Sequence, residues 1–164
     1  LVLGYTGRED YLDSEGHRWR PCTEWVMRAG HLADVVKQGW WTERRRLSIA
    51  DTRDAELYRY GAHGPEFWVN LTVAPGEWNV RLKFMARYEF DATESMKHAV
   101  TVLINGEERL TDLDVAAAAG GYNRAFDQVF SRITPKNGVI ELRFVNRHGG
   151  EAFVQAIEIT PASP

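Results

Sequence analysis

The chain has 164 residues, 44% of them apolar and 26% charged, with a formal net charge of −3. That length suits one domain with its own core, residues 1–164, and the composition excludes a disordered or low-complexity chain. The small negative charge offers no bulk field for nucleic acid or an anionic membrane, and Cys22, the single cysteine, excludes an internal disulfide or a multi-cysteine metal site.

The first 60 residues are rich in polar, glycine and aromatic residues and read as long loops laid across a β core. The opening "LVLGYTGRED" has no basic segment before an apolar run, and no stretch approaches the roughly 18 apolar residues of a membrane span. Only "WVMRAGHLADVVKQGWW" has helical spacing, and Gly30 weakens it. Trp40 and Trp41 then run into Arg44, Arg45 and Arg46. Adjacent side chains alternate in extended chain, so one indole is expected to anchor the N-terminal excursion. The arginines read as a solvated rim, because a nucleic-acid site spreads its positive charge along a groove.

From Phe67 the dominant period is two. Phe67, Val69, Leu71 and Val73 alternate with Glu66, Trp68, Asn70 and Thr72, and "APGE" supplies a turn. The next strand continues through Trp78, Val80, Leu82, Phe84 and Ala86, which places Trp78 in the apolar phase and Trp68 on the opposite face. "HAVTVLINGEERL" is a hairpin turning at Asn105-Gly106, a pair that readily adopts positive φ. "DVAAAAGGYN" holds at most one helical turn, ended by Gly120-Gly121. "RAFDQVFSRI", "GVIELRFVN" and "AFVQAIEIT" are short β-prone segments separated by turns. The expected fold is all-β, a sandwich with long N-terminal loops and at most short helices.

No phosphate loop, His-Glu-x-x-His or Gly-x-Ser-x-Gly motif is present, and His17, His31, His63, His98 and His148 are scattered. Glu89 and Asp91 share one side of an extended segment, yet their spacing defines no catalytic acid pair. "DTRD" (Asp51 to Asp54) and "TDLD" (Thr111 to Asp114) carry oxygen ligands, so structural calcium is admissible, although neither follows the twelve-position calcium loop and turn formation is the stronger reading. Asn70-Leu71-Thr72 matches a glycosylation acceptor inside a strand and is treated as accidental. Six tryptophans and six tyrosines are the richer signal. A pyranose packs its C–H face on an aromatic plane while its hydroxyls take directional polar partners.

The segments "ELYRY", "GEWNVRLKF", "INGEERLTDLDV" with the following "AAAAGG", and the terminal "AIEI" resemble the malectin and malectin-like carbohydrate-binding domains of bacterial polysaccharide-active proteins. The likeness runs from Asp54 to Ile159, and "DSEGHRWRP" (Asp13 to Pro21) resembles the family's opening loop. The resemblance implies a jelly-roll sandwich that binds an oligo- or polysaccharide through loops at one end without cleaving it. It further implies an accessory module of an exported glycoside hydrolase or polysaccharide lyase, extracellular or periplasmic, without cofactor. Trp19 corresponds to the aromatic of the opening loop, Tyr58 and Tyr60 to the aromatic region after the Leu-Tyr pair, and Tyr88 to the first member of an aromatic binding pair. The second member falls on Glu89, and the binding aspartate falls on Gly150 beside Glu151, so sugar preference does not carry over. The candidate carbohydrate site comprises Trp19, Tyr58, Tyr60, Tyr88, Glu89 and Glu151, with Asn146 and Arg147 as further hydrogen-bonding candidates. The competing reading is an interaction domain, its sugar site lost, packed on a neighbouring catalytic domain or subunit.

Overall fold

The structure, a computed structural model, describes residues 1–22, 39–42, 48–87 and 98–163, with the backbone alone at 39–42. The N-terminal part holds β1 (Val2–Leu3), β2 (Tyr11–Leu12), β3 (Arg18–Trp19), β4 (Pro21–Cys22) and β5 (Gly39–Thr42), then a 3₁₀ turn at Ala55–Tyr58. Next come β6 (Tyr60–Gly64), β7 (Glu66–Thr72), β8 (Trp78–Phe84), β9 (Val100–Ile104) and β10 (Glu107–Leu113). The helix α1 (Val115–Ala119) leads into β11 (Phe126–Ile133), β12 (Val139–Val145), β13 (Ala152–Val154) and β14 (Ala156–Pro161).

Two sheets form an all-β sandwich. One has the order β11-β8-β14-β1-β4, the other β10-β9-β12-β7, and a small sheet β13-β6-β5 closes one side. The pairings of the last eight strands are antiparallel, as short punctuated strands require, whereas β1 and β4 pair in parallel. The alternating residues behave as their phase dictates. Phe67, Val69, Ile140, Leu142 and Phe144 from one sheet meet Val80, Leu82, Phe84 and Ile157 from the other in one buried cluster. Phe67 and Phe144 are cross-strand partners whose rings stack with centroids 4.8 Å apart. Trp78 is partly buried against this core and its Nε1 donates to the Ala74 carbonyl. Trp68 stands on the outer face, with the Arg143 guanidinium 5.3 Å from its ring centre.

Asn105 and Gly106 take φ of 53° and 83° at the β9–β10 hairpin. The helix α1 starts where the Asp114 side chain accepts the Ala117 N–H and stops at Gly120, φ 73°. The backbone of Gly39–Thr42 is a strand paired with β6, so the last residues of the stretch with helical spacing are extended. Residues 25–38 of that stretch and Arg44 to Arg46 lie outside the described residues.

The N-terminal excursion is a third layer. Val2, Trp19, Ile49, Leu57, Tyr58, Met85 and Ala156 form a second buried cluster, with Tyr5, Tyr11 and Tyr60 packed against it. Strand β8 is therefore covered on both sides at its C-terminal half: Val80, Leu82 and Phe84 face the main core, while Lys83 lies beneath Trp19 and Tyr58, 5.5 and 5.4 Å from their ring centres.

Phe144→Ala empties the centre of the main core and is expected to lower the unfolding free energy by about 3–5 kcal/mol. Trp68→Ala on the outer face is expected to cost about 1 kcal/mol. Urea denaturation followed by far-UV circular dichroism measures both.

Candidate functional site

Strand register sorts the loops into two ends. Glu66, Phe84, Val100, Leu113, Phe126, Val145 and Ala156 lie at one end, and Thr72, Trp78, Ile104, Glu107, Ile133, Val139 and Pro161 at the other. The second set is joined by tight turns. At the first converge segments 113–125 and 145–151 and the described flanks of the connection between β8 and β9.

At this loop end Ala86, His98, Asp114, Val115, Ala116, Tyr122 and Phe153 line a hollow of about 20 Å³, room for little more than one water. Asp114 is fixed by capping α1, and Tyr122 follows the two glycines that end the helix. An aromatic ring, an imidazole and a carboxylate thus share one small depression.

The adjoining 145–151 loop is pinned from inside. Asn146 is buried: its Oδ1 accepts the His148 and Gly150 N–H groups at 2.8 and 3.0 Å, and its Nδ2 donates to the Ala99 carbonyl at 2.9 Å. Arg147 forms a two-pronged pair with Glu108, His148 Nε2 lies 3.2 Å from Asp112, and His63 Nδ1 lies 2.6 Å from Glu151. The hydrogen bonds from Arg147 hold the Glu108 carboxyl below its ordinary value, and the hydrogen bond from His148 does the same for Asp112.

The structure therefore brings Asn146, Arg147 and Glu151 to the loop end, Asn146 as an internal brace. Tyr88 and Glu89 lie outside the described residues, as does the Glu89–Asp91 pairing. Trp19 and Tyr58 are elsewhere and are corrected here. They are only 4% and 3% exposed, because the third layer needs large rings to cover the outer face of β8, and so present no free face to a sugar. Tyr58 donates to Asp127 at 2.6 Å, and burial followed by that hydrogen bond pushes its phenol far above the usual value. Tyr60 packs against the same cluster, edge-on to Tyr5 at 4.9 Å. Sequence reading missed Tyr122, His98 and Asp114 as a set. They are 8 to 24 residues apart along the chain, and only the β9–β10 register and the length of α1 place them together.

The oxygen-bearing turns are engaged internally. Asp54 accepts from Tyr11, the Ser14 N–H and the Ser14 hydroxyl, Asp51 pairs with Arg124, and Asp112 with Thr101. Among the described residues no group of three or more His, Cys, Asp or Glu is placed to hold a metal ion. No helix among them is long and apolar enough to cross a membrane.

A sandwich with all its longer C-terminal loops at one end is the architecture implied by the sequence likeness, and the Malectin domain family model matches residues 6–161. The chain belongs to the Malectin domain family. This Malectin domain is similar in fold to a calcium-binding mutant of Bacteroides uniformis β-glucuronidase 2, with TM-score 0.73 and 18% identity over 99% of this chain and 18% of that one. It is likewise similar to the ANXUR1 extracellular domain of Arabidopsis thaliana, TM-score 0.75, 15% identity, over 98% of this chain and 41% of that one. A third similar structure is the plant receptor-like kinase FER, TM-score 0.73, 18% identity, over 99% and 41%. The chain thus spans less than half the length of these structures. No match was found among curated proteins.

Two consequences of the third layer are measurable. Removing Asp127 leaves Lys83 buried without its 2.8 Å partner, so Asp127→Ala is expected to destabilise by about 2 kcal/mol, whereas Lys83→Met is expected to be within about 1 kcal/mol of neutral. Asp13 fastens Trp19 Nε1 at 2.9 Å. Burial raises its pKa, but hydrogen bonds from Trp19, His17 and Glu15 more than offset this and leave it below 3.8. A lowered folded value stabilises at neutral pH, and that contribution is lost only as pH falls below 3.8 through the folded value. The wild type is expected to lose stability in that acid window and Asp13→Asn to show a smaller loss there, followed by thermal unfolding across pH.

Proposed function

We propose that this Malectin domain is a non-catalytic carbohydrate-binding module that takes an oligo- or polysaccharide at its loop end. The observation that carries the reading is the convergence of Tyr122, His98 and Asp114 in one depression. Beside it lies the pinned 145–151 loop. Tyr122 offers a ring edge or face, Asp114 and Glu151 accept from hydroxyls, and His98 donates or accepts according to its tautomer. Tyr88 and Glu89 enter the proposed contact set from the family resemblance alone.

The multidomain β-glucuronidase in which a similar fold occupies 18% of the chain supports an accessory role beside a catalytic domain. The receptor and extracellular neighbours support a place outside the cell. One feature favours the interaction-domain reading instead: Arg147 and Glu151 already have partners in Glu108 and His63, which leaves them fewer groups for hydroxyls.

A neutral glycan array followed by calorimetry separates the two. Binding is expected to be modest and nearly salt-independent, and Tyr122→Ala and Tyr88→Ala are each expected to weaken it about tenfold or more. Trp19→Phe, which keeps a buried ring, is expected to leave affinity unchanged. A folded chain that binds no glycan on a broad array supports the interaction reading. Release of reducing sugar by the isolated chain contradicts the non-catalytic assignment.

A further inference from the structure

The end bearing the tight turns carries a second polar hollow, of about 280 Å³, lined by Arg109, Arg132, Lys136, Glu107, Thr134 and Pro135 among others. Its lining has three basic side chains against one acidic, within a chain whose net charge is −3. The positive charge is therefore local.

Two β-bulges deliver the arginines. The register of β10 with β9 slips between Glu108 and Leu110, which makes Arg109 the inserted residue. The register of β11 with β8 slips between Phe130 and Ile133, and within that slip Arg132 takes φ 58°. A left-handed backbone at a long side chain is unfavourable, and a bulge re-aims the residue it contains. The Arg132 N–H donates to Asn79 Oδ1 at 3.3 Å, which holds that backbone in place. Strands β10 and β11 are edge strands of different sheets, so their bulges blunt two edges at once. Edge protection alone does not require both bulges to present arginine to the same hollow.

Each cation has one internal contact: Arg109 Nη2 with Glu107 at 2.8 Å, Arg132 Nη2 with Glu77 at 2.7 Å, and Lys136 Nζ with the Asn105 carbonyl at 2.7 Å. A guanidinium has five N–H groups and an ammonium three, so each of these contacts uses a fraction of the donors. We propose that this hollow binds the oxyanion group of an acidic saccharide, carboxylate or sulfate, between Arg109, Arg132 and Lys136. A saccharide fits better than a bare anion because Glu107 places an acceptor for sugar hydroxyls beside the cations, and Thr134 and Pro135 add a hydroxyl and an apolar surface. A polyacidic peptide would set a second carboxylate against Glu107.

Calorimetry with tetragalacturonate, a sulfated disaccharide, neutral cellotetraose, tetraglutamate and inorganic phosphate tests this. Tetragalacturonate or the sulfated disaccharide is expected to bind, more weakly as salt rises, and whichever binds more tightly identifies the oxyanion. Arg109→Gln combined with Arg132→Gln is expected to weaken that binding about tenfold or more, through lost charge-assisted hydrogen bonds. Loss of acidic-saccharide binding in the double variant, with any neutral-glycan binding kept, separates this site from the loop-end reading. If the double variant fails to fold, Lys136→Gln carries the same expectation of weakened binding. Unchanged affinity in a folded variant overturns the proposal, as does equal binding of tetraglutamate or phosphate, or no binding of either acidic saccharide.

Discussion

Lys83 lies on the outer face of β8 and is only 8% exposed, although Arg81 two residues before it on the same face is exposed. Its neighbours Leu82 and Phe84 belong to the core between the two large sheets, and its own side of β8 is roofed by Trp19 and Tyr58. An ammonium so placed requires compensation, which Asp127 gives at 2.8 Å from the adjacent strand and the Tyr58 hydroxyl at 3.3 Å. Asp127 in turn accepts from Tyr58, so one carboxylate ties the roof to the sheet. The placement of residues 13–19 and 55–58 follows from this: Trp19 has to reach Lys83, Asp13 has to reach Trp19, and the 3₁₀ turn has to deliver Tyr58. Gln155 performs the analogous task for the backbone. Fully buried, it accepts from the Met85 N–H and donates to the Met85 carbonyl where β8 ends.

That roof decides where a ligand is able to bind. Covering one sheet consumes Trp19 and Tyr58, two of the rings best suited to a sugar, as internal packing. Among the described residues the opposite sheet has no such layer, and on its outer face Glu66 holds Arg143 and Arg143 covers Trp68. The two ends of the sandwich differ in chemistry. The loop end combines an aromatic ring, an imidazole and carboxylates, whereas the turn end is locally basic.

Much of the fold was legible because period-two alternation is a property of a single strand: Phe67 and Val69 announce an inward face whatever their partners are. Turns were equally local, since Asn105 tolerates positive φ through its short polar side chain and Gly106 and Gly120 through the absence of a Cβ. The site was much less legible. Whether Trp19 stacks on a sugar or on Lys83 depends on a contact between residues 64 positions apart, about which strand periodicity is silent. Family likeness misplaced Trp19 and Tyr58 for a related reason. An aromatic position is matched by its place in the chain, while its exposure is set by whatever layer covers it. Asn146 braces the 145–151 loop from inside, a role the sequence does not announce, because an amide that braces a loop and an amide that reads a hydroxyl look alike in sequence.

The edge strands show how one structural need yields a second property. A sandwich left open along β10 and β11 exposes unpaired backbone, and bulges with left-handed residues at Asp112 and Arg132 interrupt its regularity. Glycine would satisfy φ of 46° and 58° with less strain. At Asp112 the side chain compensates locally, through Thr101 on the neighbouring strand and His148 on the adjoining loop. Arg132 has a partner in Glu77, but at a surface position where both side chains remain well exposed and a single ion pair contributes little. The strain at Arg132 is thus poorly explained by folding stability alone, and better explained by what a guanidinium does when held beside Arg109 and Lys136 at the mouth of a hollow.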